Sequence, residues 1–144
     1  MELDKLDKVA LLARSRENEA ANALQRDKQA LVDSNQRLEQ LKGFKEEYEL
    51  RLQTLAGSGI DARRLADYRR FLAGLNDAIN VQDQEVGRGQ ERVQTSQEEF
   101  VDKSLRRGNV DELIGRSRAA RAVEEARREQ KAVDEGIAAR FRSE

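Results

Sequence analysis

The chain has 144 residues and a net charge of −1; 38% of its residues are charged, 4% are aromatic, and proline, cysteine, histidine and tryptophan are absent. That composition excludes a compact globule with a thick apolar core, disulfides, thiolate metal sites, and histidine as general base or metal ligand. Charge of both signs mixed along the chain leaves no electrostatic footprint for nucleic acid.

The abundant alanine, glutamate, lysine, leucine, arginine and glutamine are good helix formers, and the apolar residues recur regularly, which argues against disorder. No apolar run approaches the roughly 20 residues needed to cross a bilayer. The start of the chain lacks the basic stretch and apolar run of a secretory signal. The expectation is a cytoplasmic, all-α protein: a single long antiparallel two-helix coiled-coil hairpin over residues 1–144. Its helices should run over about 2–56 and about 62–142, joined by a turn at about 57–61.

The first helix is predicted from a seven-residue repeat over 2–55. One seam position holds Leu3, Ala10, Glu17, Leu24, Leu31, Leu38, Lys45 and Leu52; the other holds Leu6, Ala13, Ala20, Asp27, Ser34, Leu41, Tyr48 and Leu55. A mostly apolar repeat sustained this long is the coiled-coil pattern. At about 1.5 Å per residue, the arm would be roughly 80 Å long.

The break Gly57-Ser58-Gly59 follows. Gly57 can close the helix as a left-handed cap, and Ser58 or Asp61 can cap the next helix by accepting its free N–H groups. A short loop between long helices implies antiparallel neighbours.

The second helix should start near Ala62. Its seam reads Leu65, Leu72, Ile79, Val86, Val93 and Phe100 at one position, and Tyr68, Leu75, Gln82, Gly89 and Ser96 at the other. The register that centres the turn near Ile60 pairs Leu55 with Leu65, Leu52 with Tyr68, Tyr48 with Leu72 and Leu41 with Ile79. Further out it pairs Leu31 with Gly89, Ala20 with Phe100 and Glu17 with Lys103. Polar or absent side chains at Asp27, Ser34, Gln82, Gly89 and Ser96 weaken the middle. They read either as a close backbone approach or a register-fixing polar layer, or else as a bend point, and a bend is the less favoured reading.

Near Leu105-Arg106-Arg107-Gly108-Asn109 the repeat is expected to lose phase. A new stripe would then run through Leu113, Ala119, Ala120, Val123, Ala126, Val133, Ile137 and Phe141. In the chosen register Leu3 reaches only to about Ser117, so the last stretch should overhang as a lone amphipathic helix. Such a helix is marginal in water by itself and would fray, self-associate or dock on a partner.

No catalytic constellation is legible, and the expected reading is a non-enzyme without cofactor or metal. Gly57-Ser58-Gly59 lacks the Lys-Ser/Thr of a phosphate loop. The carboxylates lie on helix faces where i,i+4 pairs with lysine and arginine are routine, and no oxygen-rich loop suits a hard cation. A sharper signal is the edge beside the seam. Four of the six aromatics (Phe44, Tyr48, Tyr68 and Phe71) flank the turn. Phe44 and Phe71 each stand one residue before a seam position, so both belong on one edge of the hairpin, with Ala78, and with Tyr48 and Leu75 bordering. These residues either widen the core or form an exposed apolar binding patch.

The segments Glu47-Tyr48-Glu49 and Gly57-Ser58-Gly59-Ile60 carry a family resemblance. So, above all, does Tyr68-Arg69-Arg70-Phe71-Leu72-Ala73-Gly74-Leu75-Asn76-Asp77-Ala78-Ile79, with Lys131-Ala132-Val133-Asp134-Glu135 near the end. Together they resemble the FliJ family of flagellar protein-export components over most of the chain. The resemblance implies an antiparallel two-helix coiled coil similar to the central stalk of rotary ATPases. It also implies three partners: the export ATPase hexamer, the membrane export gate protein and export chaperones. Contact with the membrane would come only through partners, at the cytoplasmic face. Carried over by position, the gate-binding surface falls on Leu41, Phe44, Tyr48, Phe71, Leu75 and Ala78. The chain departs from the family pattern at Arg37 and Gln82, where a glutamine and a histidine are expected. The ATPase-facing part would be the end formed by the termini, including Val123, Ala126, Val133 and Ile137. Alternatives to a coupling protein are a chaperone escort, a stalk protein of virulence type III secretion, or a passive coiled-coil spacer.

Overall fold

The computed structural model describes residues 2–143. The side chains of residues 2, 3 and 143 are outside that description, so the expected seam place of Leu3 lies outside the described residues. Two helices pack against each other, α1 (Glu2–Gly57) and α2 (Ala62–Ser143), with no strand among the described residues. Contacts gather in two units, residues 20–100 and residues 2–19 with 101–143.

Residues 20–100 form an antiparallel hairpin. The amides of Ser58 and Ile60 both donate to the Leu55 carbonyl at 3.2 Å, and the Ser58 hydroxyl donates to the same oxygen at 3.0 Å. A bond spanning five residues at a helix end is the Schellman arrangement, which puts its left-handed residue just before the last donor. That residue is Gly59, at φ +82°. The expected cap at Gly57 is thereby corrected: Gly57 is the last helical residue, because the chain takes two more positions to turn. Asp61 caps α2 by accepting from the Arg64 amide at 2.8 Å, which satisfies one of the orphan donors of the first turn.

The seam of this hairpin buries Ala20, Leu24, Leu38 and Val86, together with the polar Ser34. In the expected register Ser34 stands opposite Val86. Leu31 and Gly89 meet as that register requires: a Cβ built on Gly89 would lie 3.2 Å from Leu31 Cδ1 and 3.9 Å from its Cα. The glycine therefore admits a close approach of the facing helix. The Arg92 guanidinium beside Gly89 pairs with Glu85 at 3.1 Å.

The polar seam residues pair with one another. Gln82 Nε2 donates to the Ser34 carbonyl at 2.9 Å and to its hydroxyl at 3.0 Å. The Ser96 hydroxyl donates to the Asp27 carboxylate. No described buried side-chain nitrogen or oxygen lacks a partner. Helix α2 stays helical through Gly87 and Gly89.

In the unit of residues 2–19 and 101–143, one expectation is corrected. The repeat does not lose phase near 105–109. Extending the α2 seam by sevens leads to Arg107 and Ile114 at one position and to Lys103, Val110 and Ser117 at the other. All five are half-buried or buried, with Ile114 at 7% exposure, whereas Leu113 is 50% exposed. Charged residues at Lys103 and Arg107 hide the continuing repeat, because a seam position occupied by a cation reads as a break.

The Glu17 carboxylate is met by Arg107 at 3.2 Å. The long guanidinium fork bridges Glu17 and Asp111, the latter at 3.3 Å, geometry an ammonium cannot match. Hydrogen bonds donated by Arg107 to the Asp111 and Glu17 carboxylates push the Arg107 pKa above its ordinary value. Arg14 reaches Asp111 at 3.6 Å and Arg118 reaches Asp7 at 3.3 Å. Beyond Arg118 every described side chain is exposed except Ala138.

Candidate partner-binding surface

The residues flanking the turn in the 20–100 hairpin build one apolar edge. Spacing by sevens keeps a coiled-coil position on one face, so residues standing just before Lys45 and Leu72 flank the same side of the seam. Those residues are Phe44 and Phe71, at 52% and 48% exposure. Leu41, Tyr48 and Leu75 are half-buried beside them, and Ala78 is exposed.

The two helices meet at this edge through a ring pair. Tyr48 and Phe71 lie with centroids 4.6 Å apart and planes tilted by 50°, within the range where aromatic pairs attract beyond their area burial. The Arg51 guanidinium sits 5.3 Å from the Tyr48 ring centroid and pairs with Glu47 at 2.8 Å. The sequence reading missed this stacked arginine. The signal was present: positions 48 and 51 are one helical turn apart, and such neighbours meet.

The edge thus holds Phe44 and Phe71 half in water, with Phe71 anchored on Tyr48 across the seam. The other expected site residues, Val123, Ala126, Val133 and Ile137, all lie exposed on the last stretch of α2. Gln82 is occupied inside the seam by Ser34.

Among the described residues no cluster of acidic, histidine or cysteine side chains could hold a metal ion. No described helix is long and apolar enough to cross a membrane.

The comparisons with known proteins agree with the resemblance seen in the sequence. A family model described as "Flagellar FliJ protein" matches residues 1–144. No curated protein and no solved structure matches the chain. With the whole length matched and two long helices packed against each other, the chain belongs to the FliJ family of flagellar proteins, which are components of the flagellar export apparatus.

Proposed function

We propose that this chain is the non-enzymatic coupling protein of flagellar export, linking the export ATPase ring to the membrane export gate and escorting export chaperones. The observation that carries the reading is the exposed edge where phenylalanines from both helices stand in water. Large exposed apolar side chains on so polar a chain mark a contact surface, and aromatics are the favoured anchors of such surfaces. In this reading Leu41, Phe44, Tyr48, Phe71, Leu75 and Ala78 meet the gate protein at the cytoplasmic face of the membrane. The exposed Val123, Ala126, Val133 and Ile137 serve the ATPase ring.

Adding the purified protein to the export ATPase tests the coupling role. Stimulated hydrolysis or ring assembly is the expected result. Binding to chaperones without that effect would reduce the protein to an escort, and neither effect would leave a spacer. A pull-down from a flagellated host should recover the gate protein with the native chain and lose it with Phe44→Ala/Phe71→Ala.

A further inference from the structure

The edge that carries the phenylalanines is also the basic edge of the hairpin. The positions just before the seam residues of both helices interleave there. Moving away from the turn, the antiparallel register orders them Arg64, Arg51, Phe71, Phe44, Ala78, Arg37. Two exposed rings and a small residue are therefore bracketed by arginines on both sides, with no carboxylate at an equivalent position between them. On the opposite edge, one residue after the seam, the same stretch reads Ala56, Arg69, Glu49, Asn76, Lys42, Asp83, and its charges alternate. Among the described residues Arg37 and Arg64 have no carboxylate at ion-pair distance, and both are exposed. Arg51 is held beside the rings by Tyr48 and Glu47.

We propose that this edge recognises a protein surface with an apolar pocket for the two rings and carboxylates at its rim. The proposal rests on the gate-contact reading above and names the chemistry the gate protein must present. Arginine suits the task because its planar fork takes a carboxylate bidentately, and charges at the rim of an apolar contact set approach rate and orientation. An anionic membrane is the poorer match. A surface-lying helix presents a continuous run of cations over a broad apolar face, whereas here three arginines bracket one narrow aromatic step.

The test measures binding of the full chain to the detergent-solubilised export gate protein at about 50 and about 500 mM NaCl, which spans strong and weak screening. Three proteins are compared: the native chain, Arg37→Glu/Arg51→Glu/Arg64→Glu and Phe44→Ala/Phe71→Ala, each checked for helicity by circular dichroism. The charge-reversed chain should bind about tenfold more weakly at low salt, and the difference should shrink at high salt. The phenylalanine variant should lose binding at both. Charge reversal that leaves the low-salt affinity within about twofold, or strengthens it, overturns the acid-rimmed partner while the gate reading survives. If the phenylalanine variant also binds like the native chain, the gate reading itself falls. Vesicles containing phosphatidylglycerol form the last arm: arginine-dependent retention on them, with the gate protein binding all three chains alike, would assign the edge to the membrane and overturn the proposal.

Discussion

Within the 20–100 hairpin, the turn end and the middle treat polarity in opposite ways. Near the turn, large apolar side chains stand half in water at Phe44 and Phe71, and every residue between Leu38 and Val86 is at best half-buried. In the middle a serine is buried, a glutamine and an aspartate are half-buried, and each finds a partner across the seam. Two helices alone cannot enclose much volume, so every seam position contributes more visibly than it would in a thicker core. An apolar residue left at the flank must then be tolerated or used, while a polar residue in the seam must be satisfied. The turn end spends apolar surface outside the fold, and the middle spends hydrogen bonds inside it.

Truncating a seam residue of the middle should have the largest effect and break the contrast. Leu38 is among the most buried side chains of the chain. Leu38→Ala should cost about 2–3 kcal/mol, the lower part of the range for buried leucines, because a two-helix seam can collapse around the loss. Urea unfolding followed by circular dichroism reads it directly. A cost below about 0.5 kcal/mol would mean that the seam at Leu38 is not where stability resides.

A smaller effect sharpens the same contrast. Gln82→Ala should cost about 1 kcal/mol, since it removes the donor to Ser34 inside the seam. The double variant Ser34→Ala/Gln82→Leu removes both partners and restores an apolar pair, so its midpoint should return to or exceed that of the native chain. Buried polar residues in coiled coils fix register and partner number. The double variant should therefore show mixed oligomers by light scattering where Gln82→Ala does not. A double variant that stays as uniform as the native chain would leave the Gln82–Ser34 pair with a stabilising role only.

Much of this arrangement was legible in the residues. The sevenfold repeat located both helices, and centring the turn near Ile60 chose the register that Leu31 and Gly89 now display at close range. The exposed aromatic edge followed from two phenylalanines standing one place before the seam. Other features were hidden for physical reasons. Three small residues in a row make a turn plain but leave open which one takes positive φ; hydrogen bonding to Leu55 selected Gly59 rather than Gly57. A repeat recognised by apolar residues is lost to view where its seam carries Lys103 and Arg107, although Ile114 continues it. The contact of Arg107 with Glu17 was hidden because a guanidinium reaches across a turn, beyond the residue that faces it.

The smallest expected effect lies at the turn end. Phe44 and Phe71 already expose about half of their surface, so truncation forfeits only the buried remainder. For Phe44→Ala that loss is partly offset by the better helix propensity of alanine, and the net cost should be about 0.5 kcal/mol. Phe71→Ala also loses the ring contact with Tyr48 and should cost about 1 kcal/mol. Thermal denaturation of the two single variants separates the cases, with the Phe71 variant melting lower. A cost for Phe44→Ala as large as that of Leu38→Ala would make Phe44 a core residue and remove the ground for treating this edge as a docking surface. Near-native stability would leave the ring without a structural duty, which is the condition a contact residue has to meet.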